Sequence, residues 1–130
     1  MRAVTTFLMF EGHAEEAMRF YTSVFDDAEI VSLTHYDDAG PGTPGTVARA
    51  VFSLGGGEFM AFDSSVHHEF TFTPSMSLFV DCDSEDEVDS LAAALGEGGG
   101  VLMPVDAYGF SRRFGWVVDR FGVSWQLNCA

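Results

Sequence analysis

The feature that most constrains this chain is a pattern of elements that occurs twice. From His13, the residues Ala14, Ala17, Met18, Tyr21, Val24 and Phe25 recur at the i, i+3, i+4, i+7 spacing of one helical face, with Glu15 and Glu16 where a helix N-terminus favours acids. A second amphipathic helix opens at Ser84 with Glu87 three residues on, a capping box. It carries Val88, Leu91, Ala92 and Leu95 along one stripe and stops at Gly96 and Gly98-Gly99-Gly100. Each helix follows a short apolar strand, "TTFLMF" (Thr5 to Phe10) in one case and "MSLFVDC" (Met76 to Cys82) in the other. Three strand-like segments then follow each helix: Glu29 to Tyr36, Thr46 to Leu54 and Glu58 to Asp63 in the first half, and Val101 to Pro104, Arg113 to Asp119 and Val123 to Asn128 in the second. Gly55-Gly56-Gly57 joins the last two strands of the first set, and Asp119-Arg120-Phe121-Gly122 joins those of the second; both are hairpin signals. The chain therefore reads as two copies of a βαβββ unit, an α+β arrangement, and such a repeat outweighs any single local assignment.

Size and charge narrow the classes. A chain of 130 residues, 47% of them hydrophobic, suits one domain of two modules, about 1–68 and about 74–130, with "SSVHHEFTFTPS" as connector. No apolar run approaches the roughly 18 residues of a bilayer span, and the N-terminus lacks a small-residue cleavage site, so a cytoplasmic protein with no membrane partner is expected. Twenty acids face six arginines and no lysine, for a net charge of −14. That field repels phosphate backbones, which excludes nucleic acid as a partner. Two causes of the acidity stand side by side: a solubility bias, or adaptation to a salty cytoplasm in which carboxylates hold water. Cys82 and Cys129 have no metal-finger spacing and read as two free buried thiols.

Beyond this arrangement, "FLMFEGHAEEAMRFYTSVF", "LGGGEFMAFD" and "YGFSRRFGWVVDRFGVSWQLN" resemble the vicinal oxygen chelate superfamily (glyoxalase I, extradiol dioxygenases, bleomycin-resistance proteins). More narrowly, they resemble its PhnB-like branch, described as 3-demethylubiquinone-9 3-methyltransferase-like. The resemblance covers nearly the whole chain. It implies a glyoxalase-like fold in which the two modules form an open, cup-shaped mixed sheet around a small-molecule ligand, and it implies a homodimer, which the many aromatics of so small a domain also suggest. In metal-using relatives four inward side chains, His, Glu or Gln, bind one divalent ion. Laid on that pattern, the sequence puts the first position at Thr6, counting back from Phe20-Tyr21, the second at Ala61 in "EFMAFD", the third at Ser75 just before "MSLFVD" and the fourth at Gln126 in "SWQL". Only Gln126 offers a respectable donor, so a degenerate metal site is expected, with no cofactor and at most weak affinity for a divalent ion.

The candidate ligand pocket consists of Thr6, Ala61, Asp63, Ser75, Trp116 and Gln126. Asp63 shares the face of Ala61 and would present a carboxylate to the ligand; His67, in the connector, titrates near neutral pH. These two are the candidates for acid–base chemistry. Tyr108 and Phe110, in "DAYGFSRRFG", are expected in a lid or loop near the mouth of the cup, and Arg112 with Arg113 either draws an anionic ligand or forms salt bridges. No Gly-x-Gly-x-Gly turn follows a strand and opens a helix, as a nucleotide methyl donor in a Rossmann-type site would require. The favoured function is a binding protein that holds or sequesters a small, partly apolar ligand. The alternative is a lyase, isomerase or oxygenase acting on a small oxygenated metabolite with weak or no metal dependence.

Overall fold

A computed structural model describes all 130 residues and divides into two compact units, Met1–Thr71 and Phe72–Ala130. Unit 1 contains β1 (Thr6–Phe10), α1 (Ala14–Val24), β2 (Ala28–His35), β3 (Val47–Leu54) and β4 (Gly57–Asp63); unit 2 contains β5 (Ser77–Asp81), α2 (Glu85–Gly96), β6 (Gly100–Tyr108), β7 (Ser111–Val118) and β8 (Ser124–Cys129). Each unit is βαβββ with an open four-stranded mixed sheet, in the order β1-β4-β3-β2 and β5-β8-β7-β6. The first strand of each module lies parallel to the last, and the remaining pairs are antiparallel. This is the glyoxalase-like α+β fold. No helix is long and apolar enough to cross a membrane.

In unit 1 the helix covers one face of the sheet. Ala14, Ala17, Met18 and Tyr21, the apolar stripe of α1, are buried against Leu8, Phe10, Ala50, Phe52 and Ala61. The Tyr21 ring lies 6.1 Å from that of Phe52, which stacks on Phe59 at 5.3 Å. In unit 2, Val88, Leu91, Ala92 and Leu95 of α2 are buried against β7 and β8. Close approach is possible because β7 carries Gly115 opposite the helix, where a Cβ would come within 3.7 Å of Ala92 Cβ and 2.7 Å of Val105 Cγ2.

Two assignments change. β6 runs on through Pro104 to Tyr108 rather than stopping at Pro104. Its edge position leaves the missing proline N–H without a ladder partner to lose, and three register shifts against β7 absorb the irregularity. Consequently Tyr108 to Arg113, expected as a lid or loop, is a hairpin in which Tyr108 pairs with Ser111. The rings of Tyr108 and Phe110 stack at 5.7 Å, and both meet Phe114 edge-on.

Candidate functional site: the helix-free face of the second sheet

Register decides which side chains share a face, because pairs directly opposite in a ladder point the same way and a slip of one residue inverts the set. In unit 1, Thr6, Leu8 and Phe10 pair with Phe59, Ala61 and Asp63. All of these lie on the side that α1 covers, and Ala61 is only 1% exposed. The two positions expected to line the ligand cup, Thr6 and Ala61, thus face the helix. The helix-free face carries their neighbours instead: Phe7, 54% exposed, packs its ring 5.0 Å from Phe62, beside Met9 and Met60. The count from Phe20-Tyr21 runs across Glu11-Gly12-His13, where Gly12 takes a φ of +112°. A single residue of difference in that turn is enough to shift every upstream side chain to the other face.

Asp63 also has a role other than acid–base chemistry. It is 3% exposed, and both carboxylate oxygens are occupied by backbone donors: Oδ1 accepts from Gly12 N (2.7 Å) and Ala14 N (3.0 Å), Oδ2 from Val47 N (2.8 Å). Its own carbonyl accepts from the Tyr36 hydroxyl at 3.0 Å. Since His13 makes no side-chain cap, Asp63 is what satisfies the first amide of α1, that of Ala14, with the carboxylate at the positive end of the helix dipole. It ties together the helix start, the start of β3 and the loop that carries Tyr36.

His67 is on the surface, its side chain 77% exposed, with Nδ1 2.8 Å from Glu11 Oε1. The hydrogen bond from His67 holds the Glu11 carboxyl below its usual range, and the amide of His68 adds to the effect. His68 stacks on Phe70 at 4.8 Å and reaches Ser64 Oγ at 3.0 Å. Glu11, His67, His68, Glu69, Phe70 and Thr71 outline an open recess of about 380 Å³. His67 and Asp63 are therefore in different surroundings, one exposed and one enclosed, and they do not form an acid–base pair.

In unit 2 two of the three expected residues, Trp116 and Gln126, share a face. Arg113, Gly115 and Val117 pair with Cys129, Leu127 and Trp125 on the side facing α2, where Arg113 Nε meets Asp89 Oδ1 of α2 at 2.7 Å. Gln126 and Trp116, paired with each other, lie on the opposite, helix-free side, together with Phe79 (paired with Gln126) and Ser77 (paired with Ser124). A continuous polar row crosses this face. Gln126 Nε2 donates to Ser77 Oγ (3.1 Å), Ser77 Oγ shares a hydrogen bond with Ser124 Oγ (2.7 Å), and Trp116 Nε1 donates to Ser124 Oγ (2.8 Å). Phe79, 56% exposed, lies beside Gln126 on this face, and Phe114, 3% exposed, lies two residues before Trp116 on the same face of β7. Ser75, by contrast, precedes β5 and bonds to Thr73 Oγ1 at 2.7 Å, so Ser77 and not Ser75 is the neighbour of Gln126. Ser77, Phe79 and Ser124 were not among the sequence-derived candidates, although the alternation of β8 already placed Ser124 on the side of Gln126.

These donors do not fit a divalent ion. The row offers one amide and two hydroxyls, all engaged with one another, and nowhere in the structure do three His, Cys, Asp or Glu side chains converge. Arg112 and Arg113 are drawn into ion pairs with Glu85 and Asp89 of α2 instead of forming an anion site on the helix-free face.

A sequence model of the 3-demethylubiquinone-9 3-methyltransferase family matches residues 2–128. The chain belongs to that family. Among solved structures, this family member is similar to the PhnB protein from Bacillus cereus, with 57% identity over 99% of this chain and 100% of that one and a TM-score of 0.95. Protein PA1353 from Pseudomonas aeruginosa is 28% identical over 99% and 98% of the two chains, with a TM-score of 0.86. A glyoxylase/bleomycin resistance protein/dioxygenase domain from Frankia sp. EAN1pec shares the fold at a TM-score of 0.66 with 16% identity, over 100% and 93%. No curated protein matches the chain.

Proposed function

We propose that this family member binds a small, partly apolar molecule on the helix-free face of the β5–β8 sheet, without a metal, and that Gln126 fixes the polar end of that molecule. The observation that carries this reading is the row Gln126–Ser77–Ser124–Trp116 with two phenylalanines on the same face. A sheet face that served only as core would be lined with aliphatic side chains. This one sets a directional polar row beside aromatic side chains, the usual composition of a small-molecule site. Gln126 both donates and accepts, so it suits a carbonyl or hydroxyl ligand. The two aspartates on the same face, Asp81 and Asp106, disfavour anions.

The methyl transfer named in the family's description has no evident donor site here. The triglycines close the β3–β4 hairpin and lead from α2 into β6; neither opens a helix after a strand. Self-association through exposed apolar side chains such as Phe7 and Phe79 forms part of the same reading, and gel filtration at micromolar concentration checks it.

Tryptophan fluorescence gives the experiment, because the two tryptophans report from opposite faces: Trp116 from the proposed site, Trp125 from the buried side, where its Nε1 donates to Asp119 Oδ2 at 2.9 Å. Titration with a panel of neutral oxygenated aromatics should yield saturable quenching that disappears in Trp116→Phe. Gln126→Ala should weaken binding about tenfold, the loss of roughly 1.4 kcal/mol expected for one hydrogen bond to a ligand. Quenching that survives Trp116→Phe, or affinity unchanged by Gln126→Ala and Phe79→Ala, would move the site elsewhere. Equal affinity before and after extensive chelation is expected.

A further inference from the structure

The structure assigns a redox modification to unit 2: we propose that Cys129 and Cys82 form a disulfide when the protein meets a hydroperoxide. Both thiols are free and buried in the structure and take no part in the proposed ligand site. β5 and β8 run parallel with Asp81 opposite Asn128, and one residue further on Cys82 N donates to Asn128 O at 2.7 Å, which puts Cys82 beside Cys129. Neighbouring strands lie about 4.8 Å apart, inside the Cα separation of roughly 4.4–6.8 Å that disulfides span. The side chains point the same way. Cys129 shares the helix-facing side of β8 with Leu127, and Cys82 interacts with Glu87 in the first turn of α2. Cys82 also lies just past the end of β5, where the backbone can yield slightly to close the bridge.

The order of events follows from what surrounds each sulfur. Arg112 Nη2 approaches Cys129 Sγ at 2.9 Å, while its Nε faces Glu85 at 3.5 Å, so Cys129 has a guanidinium beside it. Cys129 is 2% exposed, and the guanidinium, more than solvent, offsets the negative charge that develops on its sulfur as it reacts. Cys82 has the opposite surroundings: burial, and then the charge of Glu87, push its thiol up to about 12. Cys129 therefore attacks first. Its sulfur bonds to one peroxide oxygen, the O–O bond breaks, and the leaving oxygen takes up a proton to depart as water (or as an alcohol from an organic hydroperoxide). The sulfenic acid on Cys129 then condenses with Cys82: the S–S bond forms, the S–O bond breaks, and the thiol proton leaves with hydroxide as a second water. Two thiols are oxidised by two electrons in all, and one peroxide is reduced.

The test uses the whole protein, reduced and then exposed to millimolar hydrogen peroxide, with thiols alkylated after denaturation. The expected product is about 2 Da lighter than the reduced chain, takes up no alkylating agent, and gives one linked peptide pair containing Cys82 and Cys129 on digestion. In Cys82→Ser a dimedone adduct should appear on Cys129, and Arg112→Gln should slow disulfide formation several-fold. Two thiols still fully alkylated after peroxide would overturn the proposal, as would a bridge between two chains or initial oxidation at Cys82. The peptide map of the unsubstituted protein decides the main point even where a variant folds poorly.

Discussion

Asp63 shows how a single residue can be conspicuous in sequence and still be misread. A carboxylate two positions from Ala61 resembles a site residue, but three backbone amides hold it inside unit 1. The local sequence gives α1 no cap, since His13 makes none, and the cap comes from about fifty residues away, which no window of sequence reveals. Asp63→Ala should cost about 2–4 kcal/mol in denaturant unfolding, because it leaves buried N–H groups without partners; Asp63→Asn, which retains one acceptor, should cost less. If Asp63→Ala unfolds at the same denaturant concentration as the unsubstituted chain, the clamp is unimportant. Gln126 is the contrasting case. Its face, as distinct from its role, can be read from the chain because β8 alternates cleanly, with Trp125 and Leu127 buried on one side and Gln126 on the other. The face of Thr6 was inferred by counting through a turn instead of from alternation within the strand, and the position of Ala61 was taken from the resemblance of "EFMAFD".

At the level of elements, the boundaries readable from sequence were those set by local chemistry. Ser84 caps α2 as the capping box foretold, its Oγ accepting from Glu87 N at 3.1 Å, although Glu87 reaches back to Asp83 N (2.9 Å) rather than to Ser84 itself. Ser84→Ala should cost about 1 kcal/mol, seen as a lowered midpoint in urea with unchanged slope. The full extent of β6 escaped because Pro104 reads as a stop, and only the sheet order shows it to be at an edge. The connector gives a prediction with a definite sign. Glu11 has its folded-state carboxyl lowered, chiefly by the hydrogen bond from His67. Its contribution is thus present above the ordinary carboxyl value of 4.5 and is lost as pH falls through the lower folded value. Amide exchange at 67–70, corrected for its intrinsic pH dependence, should accelerate on acidification through that window. Glu11→Gln should exchange faster already at neutral pH; equal protection in both proteins would show that the contact does not hold the connector.

Over the whole molecule the dominant quantity is charge. Twenty acids stand against six arginines. Three of those arginines are in exposed or half-exposed ion pairs, Arg19 with Glu15, Arg112 with Glu85 and Arg113 with Asp89, and such pairs contribute only about 0–1 kcal/mol each. Salt weakens these few attractions and relieves the far more numerous repulsions, so the melting temperature should rise as KCl is added. The shape of the rise separates the two explanations of the acidity. The screening length is about 10 Å at 0.1 M and already about 3 Å at 1 M, so a stabilisation due to relieved repulsion alone should level off within the first few tenths of a molar. Adaptation to a salty interior requires carboxylates that hold water and ions in the folded state, and the melting temperature should then continue to climb into molar KCl. We expect the continued climb. Calorimetric scans from low to about 3 M KCl, repeated with a neutral osmolyte at matched water activity, decide it: a plateau below about 0.5 M leaves a solubility bias as the explanation. A falling melting temperature would mean that the three ion pairs outweigh the repulsion of the unpaired acids.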